Sequence, residues 1–236
     1  GSGAAGTIMS RDKKLTRDTL KRAGIKTPYA RDLHLDHADA IEPVAHDLFK
    51  SFPMPVVVKP RHSNSSTGVS VARNFQELVD AIDHARVYSP DIVVEEYITG
   101  KEIISGFIEG FRDHEHYPMV PVEVRPNTKV DKHTRIFNFE DKMSGNYEHT
   151  VPADLSEGEK GEIADIVKTV RDSLAMRHLG TVDFIVSPRR GVYVLEVNTH
   201  PHMHDHAPFL KSLHAVGSGE EELVAHLIRL ALGRNK

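Results

Sequence analysis

Residues 181–198 read TVDFIVSPRRGVYVLEVN, and the fold turns on how they pair. Two runs rich in Val, Ile, Phe and Tyr flank the turn signal at residues 188–191, which predicts a β-hairpin. Pairing Ser187 with Val192 across a four-residue loop sets Asp183 opposite Glu196 and Thr181 opposite Asn198. Alternation then gathers Val182, Phe184, Val186, Tyr193, Leu195 and Val197 on one apolar face, and Asp183, Glu196 and Asn198 on the other. Directly opposed side chains have Cβ atoms about 4.5–5.5 Å apart. Two carboxylates that close destabilise each other unless something offsets the charge. A divalent cation does so, and oxygen-only donors suit Mg²⁺ or Mn²⁺ better than Zn²⁺. The alternative is an exposed carboxylate pair on a wet sheet face. The apolar character of the partner face favours the metal.

Working outward, residues 56–60 (VVVKP) form a short apolar run that delivers Lys59 to the loop RHSNSSTG at 61–68. A lysine is a good point charge for phosphate, and Ser63, Ser65, Ser66, Thr67 and Gly68 are small enough to let backbone N–H groups approach phosphate oxygens. No GK[ST] follows the required glycine, so this is not a Walker loop. Alone, such a segment is more often simply a loop. Residues 93–102 (VVEEYITGKE) place Glu95 and Glu96 inside an apolar run, where they can accept hydrogen bonds from a base amine or ribose hydroxyls. The plainer reading is one solvated carboxylate on each face of an edge strand.

The remaining elements alternate between helix and strand. Helices are predicted over 10–23, 38–50, 74–86, 156–178 and 218–232, with Asn74/Glu77 and Ser156/Glu159 as capping pairs. Strands are predicted over 69–72, 92–98, 102–111, 119–125 and around 135–148. The order suggests an α+β chain of two lobes, 11–100 and 101–236, preceded by a tag or flexible tail at 1–10. The stripe Ile163, Ile166, Val167, Val170, Leu174 has helical spacing and reads as core. Of the 236 residues, 39% are hydrophobic and 27% charged, as in an ordinary globular protein. The net charge of −4, with no Trp and 6% aromatic residues, argues against a nucleic-acid surface or base-stacking platform. The absence of cysteine excludes disulfides, thiolate metal sites and a Cys nucleophile. With no long apolar run and no signal peptide, no membrane partner is expected, and the default compartment is the cytoplasm.

Taken in order, the stretches RDKKLTRDTLKRAGIKTP, VVVKPRHSNSSTGVS, VVEEYITGKE, FEDKMSGNYEHTVPA and TVDF through LEVNTHPHM resemble the ATP-grasp superfamily, in its D-alanine–D-alanine ligase branch. The resemblance spans nearly all of residues 11–236 and implies two α/β lobes with mainly antiparallel sheets gripping ATP. It implies that Lys13 and Lys59 hold ATP phosphates under the loop of Ser65 and Ser66, which acts as a lid. Glu95 meets the adenine amine with the backbone near Ile98 on the ring edge, and Glu102 meets the ribose. Lys142 contacts the terminal phosphate, and Asp183, Glu196 and Asn198 hold Mg²⁺. The implied chemistry is phosphoryl transfer from ATP to a carboxylate, then attack of an amine on the acyl phosphate, with Lys59 and Lys142 neutralising charge.

Three positions depart from the ligase pattern. Thr181 replaces an arginine, His202 a glycine and Ala207 a serine, all on the acceptor side, which points away from D-alanyl-D-alanine as product. The chain also starts at the ATP-grasp core, leaving a homodimer or a separate substrate-binding subunit as possible partners. In place of the acceptor residues stands THPHMHDHAPF at 199–209, with alternating His200, His202, His204 and His206. On a shared face these bind a substrate carboxylate, titrate near neutrality or take a transition metal, or else they form a polar surface loop. His202 and His206 are the candidate substrate residues. The leading function is an ATP-dependent carboxylate–amine ligase. The alternatives are a MgATP-binding module or subunit without activity of its own, and a kinase that stops at a phosphorylated product.

Overall fold

A computed structural model of the chain describes residues 1–63, 66–126 and 147–233. Helices α1 (Ala4–Arg11) and α2 (Lys13–Arg22) lead to strand β1 (Ala30–His34), helix α3 (Ile41–Ser51), strands β2 (Val56–Pro60) and β3 (Ser70–Ala72), helix α4 (Phe75–Tyr88) and strand β4 (Asp91–Glu96). Then follow β5 (Lys101–Glu109), β6 (His116–Pro118), β7 (Val122–Pro126), β8 (Tyr147–Thr150), helix α5 (Glu157–Ser173), β9 (Leu179–Ser187), β10 (Gly191–Asn198), and helices α6 (Pro208–Ala215) and α7 (Glu220–Gly233). No helix among the described residues is long and apolar enough to cross a membrane.

The first sheet runs β1-β4-β2-β3, and every pair in it is antiparallel. Val56, Val58, Ile92 and Val94 point to one side and pack with Leu48, Leu78 and Ile82 of α3 and α4. Alternation therefore turns Val57, Lys59, Val93 and Glu95 to the uncovered side. Asn74 starts α4 by accepting the Glu77 N–H at 2.9 Å.

The second sheet runs β10-β9-β5-β7-β8, with β6 also on β5, again antiparallel throughout. Val182, Phe184 and Val186 join Ile163, Val167, Val170 and Leu174 of α5 in its main core. The capping box at Ser156 and Glu159 forms as expected and holds the start of α5. A second apolar cluster on the other side of this sheet joins Ile108 and Phe111 to Phe209, Leu210 and Leu213 of α6. Thr181, Asp183 and Ile185 share that second side, facing the first lobe.

Several expectations change. Residues 4–11 form a helix rather than a tail, and Asp12 breaks the expected helix 10–23 into α1 and α2. Leu20 of α2 and Ile25 belong to the core of the six-stranded sheet, so the first helices pack with the second lobe rather than the first. In the hairpin, Ser187 pairs with Gly191 rather than Val192, leaving a three-residue loop. A bulge between Val194 and Glu196 absorbs the one-residue difference, so Asp183 still faces Glu196 and Thr181 faces Asn198. Because pairing starts one residue early, Val192 and Val194 enter the main core. Tyr193 and Leu195, expected there, instead pack with Ile98 and Ile185 on the opposite side. Most of the strand pair expected around 135–148 lies outside the described residues; the described part is β8.

Candidate functional site: a cleft between two sheets

Glu95 of the first sheet and Leu195 and Glu196 of the second line one cleft, walled otherwise by Lys13, Arg17 and Leu20 of helix α2. On the first lobe, Lys59 and Glu95 form a buried ion pair at 2.6 Å. They lie on adjacent strands, on the side that alternation turned away from the core. On the second lobe, Asp183 and Glu196 stand directly opposed, with Asn198 two residues on along the same face. All three are half-buried.

Helix α2 joins the halves. Asp12 caps it by accepting the Leu15 N–H at 3.0 Å and also accepts two hydrogen bonds from Arg61, at 2.8 and 2.6 Å. The Arg61 guanidinium, which outweighs the opposing effect of burial, pulls the Asp12 carboxyl down to about 2. Lys13, the next residue, donates from Nζ to the Ser63 carbonyl, and the same ammonium lies 3.8 Å from Glu196. A single lysine thus touches the loop of the first lobe and the acidic pair of the second.

Ile98 packs with Ile185, Tyr193 and Leu195 in an apolar patch between the lobes, on the face that carries Asp183. Glu102 sits in the same cross-strand row as Ile185 and so shares that face. Glu96 points elsewhere: Arg190 grips its carboxylate at 2.8 and 3.1 Å, and the Tyr29 N–H donates to it at 2.9 Å. Burial pushes the Glu96 pKa up, but Arg190 and the Tyr29 N–H more than offset this and hold it below the usual range. In this structure Glu96 anchors the hairpin turn to β4. Ser66 lies in the 61–68 loop with φ +59°. Ser65 and Lys142 lie outside the described residues.

The donor chemistry tests whether Mg²⁺ fits. Two carboxylates in direct register and one amide offer oxygen donors from one face, with Lys13 partly offsetting the charge. Such a set suits a hard cation. Among the described residues no three His, Cys, Asp or Glu side chains converge on one point, so the amide of Asn198 is needed as the third donor. The histidines at 200–206 likewise supply no transition-metal cluster there. They are exposed, with the His202 and His204 rings 5.9 Å apart. Thr181 and Ala207 are buried.

Residue spacing did not reveal the Asp12–Arg61 bond or the Lys13–Glu196 contact, which join positions far apart in the chain. The sequence signal available was the Asp-Lys start of α2 beside a cationic loop. It also missed His149 of β8. Burial, with Lys211, His206 and His204 adding repulsion, pushes the pKa of that imidazole down to about 4.

Two antiparallel lobes gripping a cleft with paired lysines and an acidic hairpin define an ATP-grasp ligase fold. The family model described as "D-ala D-ala ligase C-terminus" matches residues 19–229, and the chain belongs to that family. It is 29% identical over 233 residues to a D-alanine–D-alanine ligase of Hydrogenovibrio crunogenus, covering 98% of this chain and 69% of that protein. It is 32% identical over 232 residues to the vancomycin/teicoplanin A-type resistance protein VanA of Enterococcus faecium, covering 94% of this chain and 61% of that protein. The fold matches D-alanyl-alanine synthetase A from Vibrio cholerae with a TM-score of 0.80 at 23% identity, over 95% of this chain and 66% of that one. An ATP complex of the Bacillus anthracis D-alanine–D-alanine ligase matches with a TM-score of 0.77 at 22% identity, over 98% of this chain and 69% of that one. The chain thus spans roughly two thirds of the length of these relatives.

Proposed function

We propose that this chain uses MgATP to activate a carboxylate and joins it to an amine, releasing ADP and phosphate, with a product other than D-alanyl-D-alanine. One observation carries the reading: Asp183 and Glu196 oppose each other across the cleft from the Lys59–Glu95 pair, with Lys13 reaching both lobes. Mg²⁺, when bound by Asp183, Glu196 and Asn198, supplies charge neutralisation at the phosphate oxygens. Lys13 and Lys59 orient the phosphate chain and reduce its charge, assisted by Lys142 and by the loop of Ser65 and Ser66. The apolar patch of Ile98, Leu195 and Tyr193 receives the base, with Glu95 on its amine and Glu102 on the ribose. The substrate carboxylate then attacks the terminal phosphorus, ADP departs, and the acceptor nitrogen attacks the acyl carbon and displaces phosphate. Closure over the cleft excludes water, which otherwise hydrolyses the acyl phosphate.

The D-alanine–D-alanine ligases among the relatives carry that product in their names. Thr181, His202 and Ala207 stand where the ligase pattern has arginine, glycine and serine, and this favours a different acceptor. The same positions favour a second reading, a MgATP-binding module that needs a partner for turnover.

Thermal unfolding with and without MgATP tests the nucleotide site. A ligand at about 100 times its dissociation constant adds roughly 2.7 kcal/mol of stability. We expect an Mg²⁺-dependent rise that Glu196→Gln weakens. An identical rise in Glu196→Gln, or no rise at all, contradicts the proposed site. ADP release that depends on an added amine distinguishes the ligase from the binding module.

A further inference from the structure

Arg17 of helix α2 is 7% exposed, and only part of its guanidinium is engaged. Its Nη2 donates to Asp32 of β1 at 2.6 Å, and its Nε lies 3.8 Å from Asp18. Its Nη1 is buried and has no hydrogen-bond partner among the described residues. Buried polar atoms are nearly always paired, and leaving one unpaired is costliest for a charged group, so this nitrogen calls for an acceptor. Arg17 and Glu95 line the same cleft, and the register of the first sheet makes them neighbours. Asp32 and Lys59 both stand opposite Val93, one on each side of β4. Glu95 lies two residues further along β4, opposite Ala30 and Val57. On this one face it is therefore a diagonal neighbour of Lys59 on β2 and of Asp32 on β1, each about 7–8 Å away and within reach of long side chains. Lys59 holds Glu95 at 2.6 Å. The guanidinium of Arg17, fixed to Asp32, stands on the other flank of the same carboxylate.

In the nucleotide-binding reading above, on which this inference rests, Lys59 turns to a phosphate and Glu95 to the base amine. A buried carboxylate stripped of its cation is strongly destabilising, so the exchange requires a second cation. We propose that Arg17 is a positioning residue that takes over Glu95 through Nη1 as Lys59 leaves for the phosphate chain. The guanidinium then bridges Asp32 and Glu95, one nitrogen to each. It keeps Glu95 ionised and fixed as the acceptor for the base amine. The fork of donors that allows this belongs to arginine, whereas a lysine ammonium is a single point charge. Affinity for the nucleotide thus depends on a residue that touches neither phosphate nor base.

Two double-mutant cycles provide the test. In the chain without ligand, Lys59→Met leaves Glu95 to Arg17. Arg17→Met is then expected to lower the folding equilibrium constant about tenfold more in the Lys59→Met background than in the wild type, read from urea unfolding. The loss of the Asp32 bond is common to both backgrounds and cancels. Equal losses overturn the proposal. In the second cycle, calorimetric titration with MgADP reads binding. Arg17→Met is expected to weaken it about tenfold in the wild type and less than about twofold in a Glu95→Gln background, where no carboxylate needs a partner. Equal weakening in both backgrounds makes Arg17 merely structural and overturns the proposal, as does unchanged affinity in Arg17→Met. Arg17→Lys keeps the charge and a bond to Asp32 but not the second nitrogen, and is expected to show the same dependence on background. Wild-type behaviour of Arg17→Lys in both cycles contradicts the bridging role. Should Arg17→Met not fold, Arg17→Lys supplies the same comparisons. Failure of MgADP to bind the wild-type chain counts against the nucleotide reading instead, and the first cycle, which uses no ligand, then judges the role of Arg17 by itself.

Discussion

Lys59 and Glu95 neutralise each other inside the first lobe at 2.6 Å, and each is less than one-tenth exposed. Removing one member of such a pair leaves the other charge buried and costs about 3–5 kcal/mol. Glu95→Gln is therefore expected to lower stability by that order in urea unfolding, and adding Lys59→Met to restore much of it. Strictly additive losses would show that the two charges do not depend on each other. Two titrations set the acid response. Asp12, held down to about 2 by Arg61, contributes stability that is present above its unfolded value near 3.8 and lost as pH falls toward 2. His149 stays neutral in the fold down to about 4, whereas the unfolded chain protonates it near 6.5. Between those values only the unfolded state takes up the proton, so stability falls as pH drops from 6.5 to 4. His149→Phe is expected to flatten that part of the unfolding profile, and Asp12→Asn the part below 3.8. A profile unchanged by either variant assigns the acid response to other groups.

At the scale of elements, the β9–β10 hairpin carries the most consequence. Its bulge lets a three-residue turn coexist with the Asp183–Glu196 pairing and turns Tyr193 and Leu195 toward the cleft. Strand β5 shows how closely backbones approach: a Cβ on Gly106 would stand 2.2 Å from the Gly180 carbonyl oxygen. Nothing in that contact is a movable side chain, so Gly106→Ala must push β5 away from β9. A loss of about 1–3 kcal/mol is expected in denaturant unfolding, at the scale of core overpacking. A wild-type midpoint in that variant would mean that the strands part without strain. The start of α5 offers a milder perturbation. Ser156→Ala removes the side chain that accepts the Glu159 N–H and is expected to cost about 1 kcal/mol.

For the molecule as a whole, each sheet has its main core beneath one face, and helix α2 ties the second lobe to the loop of the first. A nucleotide held between the two faces must stabilise both lobes together. Hydrogen exchange is expected to slow in β2 and β4 of the first lobe and in β9 and β10 of the second when MgATP is added. Protection confined to one lobe would place the nucleotide somewhere other than between them. Asp12→Ala, which releases Arg61 from α2, is expected to weaken this coupling without removing the acidic pair.

Local patterns in the sequence determined a good deal. The apolar runs at 56–60 and 92–98 and the alternation within 181–198 identified the strands, and Ser156 with Glu159 marked a helix start. The opposition of Asp183 and Glu196 followed from residue order, because a hairpin is a short-range structure whose pairing depends on few residues. The early part of the register was legible only in three dimensions, since turn length and bulge compensate and both readings meet the same acidic pair. Tyr193 and Leu195 changed faces for that reason. The packing of α2 on the second lobe and the Arg61–Asp12 bond join distant parts of the chain, the bond across 49 positions. No periodicity encodes such meetings. They are decided where apolar faces from different parts of the chain bury against one another and carry their charged neighbours into contact.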